Sequence, residues 1–336
     1  MGQSLEDPGD KNQKILTKKA LLREQKLSSF FSLKVLPYTI EVFSDLSSCF
    51  LLWQKFSPQR NLFETWEFRY SFWLGYKYKP YFLVAKKKKE EIALLPLWYD
   101  KNRKIFTWFG SDWQEENYFF GKDLEAIKIL IKIAPRPLLL NAIVKEWADL
   151  LKKDFEIKEE ESKYILDLKD FKCHEDWLKT LKKNDRRDLR KDRNRILKQN
   201  PKIIFDNFSD LDVLIDLAKK RFEEKGEKAD WEDPKRVETF RQVINLAGKS
   251  YKVRMIKIEI GGKPAGVDLI ATFKDRYYAL KCGYNVKEFK GIGNFMNLLE
   301  IDDAIKLGFK KIDFLQNNYH WKSRWFSPIS LFKLEK

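Results

Sequence analysis

Alternating apolar and polar positions mark the first elements of the second half of the chain as strands. The segments VRMIKIEI and AGVDLIATF flank the turn Gly261-Gly262-Lys263-Pro264. Glycines tolerate the positive φ that a tight hairpin uses, so this turn predicts an antiparallel pair. The run DRYYALKCGY follows directly as a third strand, and the three segments together predict an antiparallel meander.

A helix is predicted after this meander. Apolar residues recur at steps of three and four from about Asn294 to Leu307, which is the spacing of an amphipathic helix. Gly308 can end the helix, because a glycine adopts the left-handed conformation of a helix C-terminus without steric cost. KKIDFLQ is then predicted as the returning strand.

The first half of the chain shows the same order of elements. YFLVAKK, IALLPLWY and KIFTWFG are predicted as strands, LEAIKILIKI as a helix, and RPLLLNAI as the strand after it. The repeat predicts an α/β fold with two tandem halves, each an antiparallel meander followed by a helix and a C-terminal strand in a mixed sheet. Because mixed α/β chains are common, chance could also produce this similarity of order.

The pattern divides the sequence into three parts. Residues 1–28 are charged and lack a clear apolar period, so we expect a flexible N-terminal arm. Residues 29–165 and 166–336 are predicted as the two domains. Only the second domain has a Gly-x-Gly turn before its helix, so we expect a working site there and a degenerate first domain.

Composition indicates the kind of partner. The 336 residues have a formal net charge of +16 and a pI of about 9.4, which favours nucleic acid, phosphorylated small molecules or an acidic membrane face. No apolar run approaches the roughly 18 residues of a membrane helix, and the polar start is unlike a secretory signal. Three distant cysteines and two histidines predict neither a disulfide framework nor a metal site. We therefore expect a reduced, cytoplasmic protein without a membrane span.

The turn Lys290-Gly291-Ile292-Gly293-Asn294 is a candidate phosphate site. The first turn of a helix has N–H groups without intrahelical partners and carries the positive end of the helix dipole. Glycines let a phosphate approach those groups, and Lys290 would add a positive charge. The alternative is an ordinary glycine loop that Asn294 caps, and a short Gly-x-Gly is a weak signal.

The segment Lys179–Lys198 is strongly basic. Its apolar residues Leu181, Leu189 and Ile196 are spaced for one buried face of a helix, while the other faces carry many Lys and Arg residues and few acids. Such a helix could be a solvated face with internal ion pairs, or it could bind an anion such as RNA or a phosphorylated substrate. The sequence leaves both interpretations open.

A second candidate cluster, Tyr319 to Trp325, follows the last predicted strand. Lys322 could stabilise an oxyanion or bind phosphate, and His320 could transfer protons. Alternatively, Trp321 and Trp325 pack in the core while Lys322 and Arg324 extend to solvent.

Two carboxylates lie inside predicted apolar strands. Asp268 belongs to AGVDLIATF and Asp313 to KKIDFLQ. A buried carboxylate is unfavourable without a partner, so each is either a site residue or the partner of a lysine.

These segments resemble the GNAT acyltransferase superfamily, and more narrowly its branch of CelD-like proteins and FemABX peptidyltransferases, which have two GNAT-like halves. The resemblance rests on Gly283-Tyr284-Asn285, the glycine turn at 290–294, the strand at 308–314 and the final Trp321-Lys322-Ser323-Arg324-Trp325. The basic segment and the first-half runs NLFETWEFRYSFW and EEIALLPLWYD also match in order. No glutamate matches the family's catalytic position.

The resemblance implies an N-acyltransferase that moves an acyl group, most simply acetyl, from acyl-CoA to an amine of a sugar-like or cell-envelope substrate. It implies that the amides of Gly291, Ile292, Gly293 and Asn294 hold the pyrophosphate of acyl-CoA, and that Lys322 supports the transition state. Tyr284, Trp321, Arg324 and Trp325 would lie at the substrate. Asp268, Asp313 and His320 are candidates to accept the amine proton.

Two rival functions stay open. A FemABX-type peptidyltransferase would take its donor from aminoacyl-tRNA and use the basic segment for RNA. A non-catalytic RNA-binding protein could also be built on a GNAT scaffold. Both rivals use the positive charge of the chain, and they differ from the first hypothesis in the donor.

Overall fold

The computed structural model describes residues 31–111 and 113–336. The expected arm at residues 1–28 lies outside the described residues. Both predicted meanders, the helix after each and the strand after each helix are present. The glycine hairpin is also confirmed: Gly261 and Gly262 have φ of 57° and 77°, and the strands on either side pair antiparallel.

Fourteen strands are found in the described part of the chain. They are β1 (Phe31–Val35), β2 (Tyr38–Phe43), β3 (Pro80–Lys87), β4 (Glu90–Asp100), β5 (Ile105–Trp108), β6 (Phe120–Gly121), β7 (Leu138–Val144), β8 (Ile157–Asp167), β9 (Lys202–Phe205), β10 (Lys252–Ile260), β11 (Lys263–Phe273), β12 (Arg276–Tyr284), β13 (Lys311–Asp313) and β14 (Ser327–Glu335).

Ten α-helices accompany these strands in the same part of the chain. They are α1 (Leu46–Phe56), α2 (Trp66–Tyr76), α3 (Leu124–Ile133), α4 (Lys145–Leu151), α5 (His174–Thr180), α6 (Lys183–Leu197), α7 (Leu211–Glu223), α8 (Pro234–Asn245), α9 (Ile292–Lys306) and α10 (Lys322–Trp325).

The order of elements repeats from one half to the other. The first half runs β2-α1-α2-β3-β4-β5-α3-β7-α4-β8, and the second runs β9-α7-α8-β10-β11-β12-α9-β13-α10-β14, apart from the short β6. In each half the strands pair antiparallel up to the third meander strand, and that strand then pairs in parallel with the strand after the helix. The tandem α/β fold predicted from the sequence is therefore present.

The structure differs from the sequence prediction in how the two halves are joined. All fourteen strands form one sheet in the order β1-β2-β3-β4-β5-β7-β14-β8-β13-β12-β11-β10-β9, with β6 paired to β4 outside this order. The last strand of each half is exchanged: β8 pairs with β13 of the second half, and β14 pairs with β7 of the first. The two exchanged strands also pair with each other. The predicted division between residues 165 and 166 thus falls inside β8.

The hydrophobic core also crosses between the halves. One buried cluster contains side chains of α1, α2, β3 and β4 together with side chains of α7, α8, β11 and β12. At the junction the rings of Phe63 and Tyr278 meet edge to face at 5.7 Å. Two further clusters lie against α3 in the first half and against α6 and α9 in the second. The shared cluster and the exchanged strands hold the halves together as one packed unit.

Candidate active site

A notch opens in the sheet between β12 and β13. The two strands pair in parallel only over Arg276–Tyr278 and Lys311–Asp313. β12 then continues to Tyr284, while β13 ends at Asp313. Strands that part in this way leave unpaired backbone edges and room for side chains between them.

The corresponding place in the first half is filled by the chain itself. After β5, Asn117 forms a parallel bridge with Ile143 of β7, and its N–H donates to the carbonyl oxygen of Ala142 at 2.7 Å. The Asn117 side-chain amide also donates to the carbonyl of Asn141 at 2.9 Å. The loop that leads to β6 therefore occupies the space that is open in the second half.

The segment after β13 has an unusual backbone. Leu315, Asn317, Tyr319 and His320 all have positive φ, between 47° and 68°. For residues other than glycine this conformation costs on the order of 1 kcal/mol or more each, and such residues cluster at functional sites. The segment must therefore be held by contacts elsewhere.

Lys322 provides those contacts. Its Nζ donates to the carbonyl oxygens of Phe314 at 2.5 Å and Gln316 at 2.7 Å, and it lies 3.5 Å from that of Leu315. The residue is only 6% exposed. Burial lowers the pKa of Lys322 to about 8, against the opposing effect of Glu115. The alternative in which Lys322 extends to solvent is therefore wrong.

Glu115, from the first half, places a carboxylate near Lys322 and the backbone segment that Lys322 binds. Its Oε1 accepts from the N–H of Gln316 at 2.9 Å, and its buried Oε2 has no hydrogen-bond partner in the described residues. Burial raises the pKa of Glu115 to about 7, although Lys163 opposes this shift. Sequence reasoning missed Glu115, because QEEN reads as an ordinary polar loop.

Asp313 belongs to a buried ion cluster at the junction of the halves. Its Oδ2 lies 2.5 Å from Lys163 Nζ and 3.5 Å from Arg276. Both cations also pair with Glu116, at 2.8 Å for Lys163 and 2.5 Å for Arg276. This arrangement favours a positioning role for Asp313, and its predicted role as a base stays a prediction.

Asp268 has a very different environment. It lies on β11, is 1% exposed, and neither of its carboxylate oxygens has a hydrogen-bond partner in the described residues. Its nearest ionisable neighbours are Tyr284 and Glu300, and burial raises its pKa to about 7. Glu300 of α9 was not singled out by sequence reasoning. A signal was available, because Glu300 lies four residues from the buried Met296 and four from Ala304.

The glycine turn forms the start of α9. Gly291 is its N-cap with φ of 93°, and no side chain caps the helix. In the described part of the chain, the N–H groups of Gly293 and Asn294 form no hydrogen bond. Lys290 is exposed and Ile292 is buried. Two amides of the predicted phosphate site are thus unpaired.

Close packing also explains why glycine occupies positions 291 and 293. A Cβ on Gly291 would lie 2.7 Å from the Cβ and Cγ of Asp192 on α6. A Cβ on Gly293 would lie 3.2 Å from the ring of Tyr284. The Asp192 carboxylate accepts from the Asn294 amide at 2.7 Å and from Arg195 at 2.7 Å. A diphosphate at this turn would therefore have a carboxylate beside it, partly neutralised by Arg195.

In the first half, the N-terminus of the equivalent helix is capped by a side chain. α3 begins at Asp123, whose carboxylate accepts from the N–H of Ala126 at 3.1 Å and from the Tyr38 hydroxyl at 3.0 Å. An acidic cap occupies the place where an anionic ligand would bind. The N-terminus of α3 is thus closed by a side chain, whereas that of α9 is not.

The remaining predicted substrate residues have structural contacts. Trp321 and Trp325 pack against each other at 5.1 Å, and Trp325 also meets Trp177. Arg324 forms an ion pair with Asp185 of α6. His320 is exposed at the tip of the segment. For the two tryptophans the alternative interpretation, packing in the core, is consistent with these contacts.

The basic segment contains the last two residues of α5 and the whole of α6, and the charges of α6 differ from one face to another. Asp185 and Asp192 turn toward Arg324 and the glycine turn, while Leu189 and Ile196 are buried. The opposite face lines a shallow open cavity of about 430 Å³, formed by Lys183, Arg186, Arg187, Arg190, Lys191 and Asn194. Arg190 on this face pairs with Glu175 of α5 and Arg187 pairs with Asp188, and the face still carries more cations than acids.

An α/β sheet in two repeated halves, a notch between β12 and β13, and an uncapped helix beside that notch define an acyltransferase-like fold. Residues 183–323 match the family model described as the acetyltransferase (GNAT) domain. No curated protein matches the sequence. The family match confirms the predicted resemblance to the GNAT superfamily over residues 183–323, and a GNAT-type fold indicates transferase chemistry.

Solved structures show the same fold at low sequence identity. FemX matches with a TM-score of 0.55 and 11% identity over 88% of this chain and 95% of its own. A Bacteroides thetaiotaomicron protein of unknown function matches with a TM-score of 0.55 and 11% identity over 80% and 90%. A tandem GNAT protein from the clavulanic acid biosynthesis pathway has 0.50 and 9% over 88% and 98%. The chain therefore has the fold of the FemABX-like, tandem GNAT branch.

The described residues include neither a membrane-spanning helix nor a cluster of metal ligands. None of the helices combines the length and apolar character that crossing a membrane requires. No group of three or more His, Cys, Asp or Glu residues in that part is arranged to hold a metal ion.

Proposed function

We propose that the chain is an N-acyltransferase that takes an acyl group, most simply acetyl, from acyl-CoA and transfers it to a polar amine. The observation that carries this proposal is the contrast between two equivalent helices. α9 begins at a glycine with two unpaired N–H groups, whereas α3 is closed by the carboxylate of Asp123. An amino sugar or another cell-envelope amine is the acceptor class that the family resemblance implies.

The proposed reaction needs positioning and charge stabilisation rather than a covalent enzyme intermediate. The amine nitrogen attacks the thioester carbonyl, a tetrahedral oxyanion forms, and the C–S bond then breaks to release the CoA thiolate. Lys322 has three N–H groups, and two are used by Phe314 and Gln316. We assign the third, which only approaches Leu315 at 3.5 Å, to the oxyanion.

The exposed thiol of Cys282 is not assigned a nucleophilic role. Cys282 lies on β12, and its side chain is exposed to solvent. The protein packed around Cys282 and the neighbouring Asp268 both raise the pKa of this thiol above its usual value. A thiol with such a pKa is almost fully protonated near neutral pH, whereas the thiolate is the nucleophile.

A substitution that introduces a negative charge at the start of α9 tests whether acyl-CoA binds there. Asn294→Asp adds a negative charge beside the unpaired amides, where it repels a diphosphate, and it replaces the hydrogen bond from the Asn294 amide to Asp192 with a repulsion between two carboxylates. We expect acetyl-CoA affinity, measured by calorimetry, to fall at least about tenfold, since close like charges cost on the order of 1 kcal/mol or more. Asn102→Asp makes the same chemical change in an exposed turn far from α9 and should bind acetyl-CoA like the wild type. Equal affinity in all three proteins would contradict a donor site at this helix.

The basic face of α6 favours a second candidate function. Its five cations on one face fit a phosphate backbone, as an aminoacyl-tRNA donor would present. This candidate predicts transfer from aminoacyl-tRNA and none from acetyl-CoA. It also predicts tRNA affinity that falls steeply with salt and is reduced by Lys183→Glu and Lys191→Glu, but much less by Lys145→Glu on α4.

A further inference from the structure

Two carboxyl groups face each other inside the second half without a cation bound to either. Asp268 projects from β11 and Glu300 from α9, and they are 1% and 3% exposed. Both oxygens of Asp268 are buried and unpartnered within the described residues. A buried, unpaired carboxylate is strongly unfavourable, so a pair of them is retained only at a cost in stability.

The groups around the pair do not neutralise it. β12 contributes Tyr277, Cys282 and Tyr284, and α9 also contributes Asp303. Asp303 is itself bound by Arg254 from β10, at 2.8 and 2.9 Å, and by the Tyr277 hydroxyl at 3.1 Å.

Cations affect the pKa values of the pair only from outside these neighbouring side chains. Lys322 lowers the pKa of Glu300 weakly, and Arg221 acts on Cys282. Burial and Asp268 together raise the pKa of Glu300 well above its usual range. Two carboxyl groups in such a place cannot both ionise near neutral pH, so they hold one proton between them.

The pair lies directly behind the proposed donor site. The ring of Tyr284 packs over Gly266 of β11 and over Gly293 of the glycine turn, within 3.1 and 3.2 Å of the Cβ that each would carry. The hydroxyl of the same tyrosine neighbours Asp268. Asp268 is also the register partner of the solvent-exposed Cys282. One side chain, Tyr284, thus separates the carboxyl pair from the start of α9.

We propose that Asp268 and Glu300 act as one proton acceptor, reached through the Tyr284 hydroxyl, for the amine that attacks the donor. This inference rests on the proposed acyl transfer. The neutral amine becomes positively charged when it attacks the thioester carbon, and it gives one proton through Tyr284 to the singly protonated pair. The pair, now holding two protons, returns one to the departing CoA sulfur. The products are an amide and CoA thiol, and the pair ends as it began.

Replacing Asp268 and Glu300 one at a time tests whether the carboxyl pair accepts the proton or only supports the fold. The assay is thiol release from acetyl-CoA with a panel of amino sugars and amino acids as acceptors, from pH 5 to 9. Asp268→Asn removes the acceptor and should lower turnover by about 10²- to 10⁴-fold. Glu300 lowers the pKa of Asp268, so its removal in Glu300→Gln, which leaves Asp268 in place, should move the rise of activity with pH to higher pH.

A matched control distinguishes this role from loss of folding. Glu64 is a buried first-half carboxylate that pairs with Arg60, so Glu64→Gln makes the same change away from the notch. Activity per folded molecule and its pH profile should be unchanged in this variant. Infrared spectra of the free protein should show a protonated-carboxyl band that titrates near neutral pH, is altered in Glu300→Gln and is lost in Asp268→Asn.

Two different failures are distinguishable. If the wild type releases thiol and both variants keep its rate and pH profile, the carboxyl pair is not the proton acceptor, while the acyl transfer stands. If the wild type binds no acetyl-CoA and releases no thiol with any acceptor, the proposed function is overturned, and the role of the pair with it.

Discussion

Lys322 combines two effects of pH that act in opposite directions. Burial lowers its pKa to about 8, below the roughly 10.4 of a free lysine. The folded protein therefore binds this proton less tightly than the unfolded chain, and the contribution of Lys322 to stability rises as pH increases from about 8 to 10.4. The ammonium form, which would face the oxyanion, is lost over the same range.

We therefore expect activity to fall above pH 8 while the protein becomes no less stable. Lys322→Arg keeps the charge at all these pH values, so its activity should be lower but should no longer fall above pH 8. Lys322→Ala should lower turnover more than donor affinity. Initial rates and melting temperatures from pH 6 to 10 check this; a parallel loss of rate and stability in the wild type would contradict it.

Some of these residues were visible in the sequence and others were not. Asp268 and Asp313 stand out because each interrupts an apolar strand, and Lys322 because it lies in a cluster of aromatic residues after a strand. Glu115 lies in a polar loop and Glu300 in a helix that has several acidic residues. Their chemistry depends on burial and on partners far along the chain, which local pattern does not contain.

The start of α9 is the element on which the donor site depends. Gly291 has φ of 93° and contacts Asp192, whereas Gly308, just past the other end of the same helix, has φ of 79° and open space around it. Gly291→Ala should therefore add a steric clash to the cost of the backbone conformation, and Gly308→Ala only the latter, about 1 kcal/mol.

We expect Gly291→Ala to lower the unfolding midpoint clearly more than Gly308→Ala and to reduce acetyl-CoA binding as well. Removing the clashing side chain in Gly291→Ala/Asp192→Ala should recover part of the stability. Denaturant unfolding with calorimetric binding measures both effects. If the two glycine variants were equally stable, the packing of Asp192 against Gly291 would not matter.

At the level of elements, periodicity predicted both meanders and the helix after each. It missed β8 and β14, because the first half of β8 is mostly charged and β14 is irregular, with a register shift in each of its pairings. What makes these segments strands is the pairing with distant partners. That information lies in the tertiary contacts rather than in local propensity.

The buried ion cluster stabilises the junction of the whole molecule. Lys163 is fully buried between Asp313 and Glu116, and burial alone would lower its pKa, but these carboxylates raise it. Lys163→Met would leave both acids short of a counter-ion, with only Arg276 remaining. Breaking a buried pair in this way costs about 3–5 kcal/mol.

We expect the melting temperature of Lys163→Met to fall sharply, with both halves still unfolding in one transition. Lys86→Met, which removes a partly exposed lysine paired with Glu41 and Glu91, should have a much smaller effect. Calorimetry tests this. Two separate transitions in the wild type would show that the halves do not depend on each other.

The exchanged strands also set an order for folding during synthesis. β7 finds its neighbour β14 only after nearly the whole second half has been translated, which at about 5–20 residues per second takes on the order of 10–40 s. Through that interval the first half has an apolar strand, Leu138–Val144, with one edge unpaired. A nascent chain of this kind is open to mispairing with its neighbours on a polysome until its partner strand emerges from the ribosome.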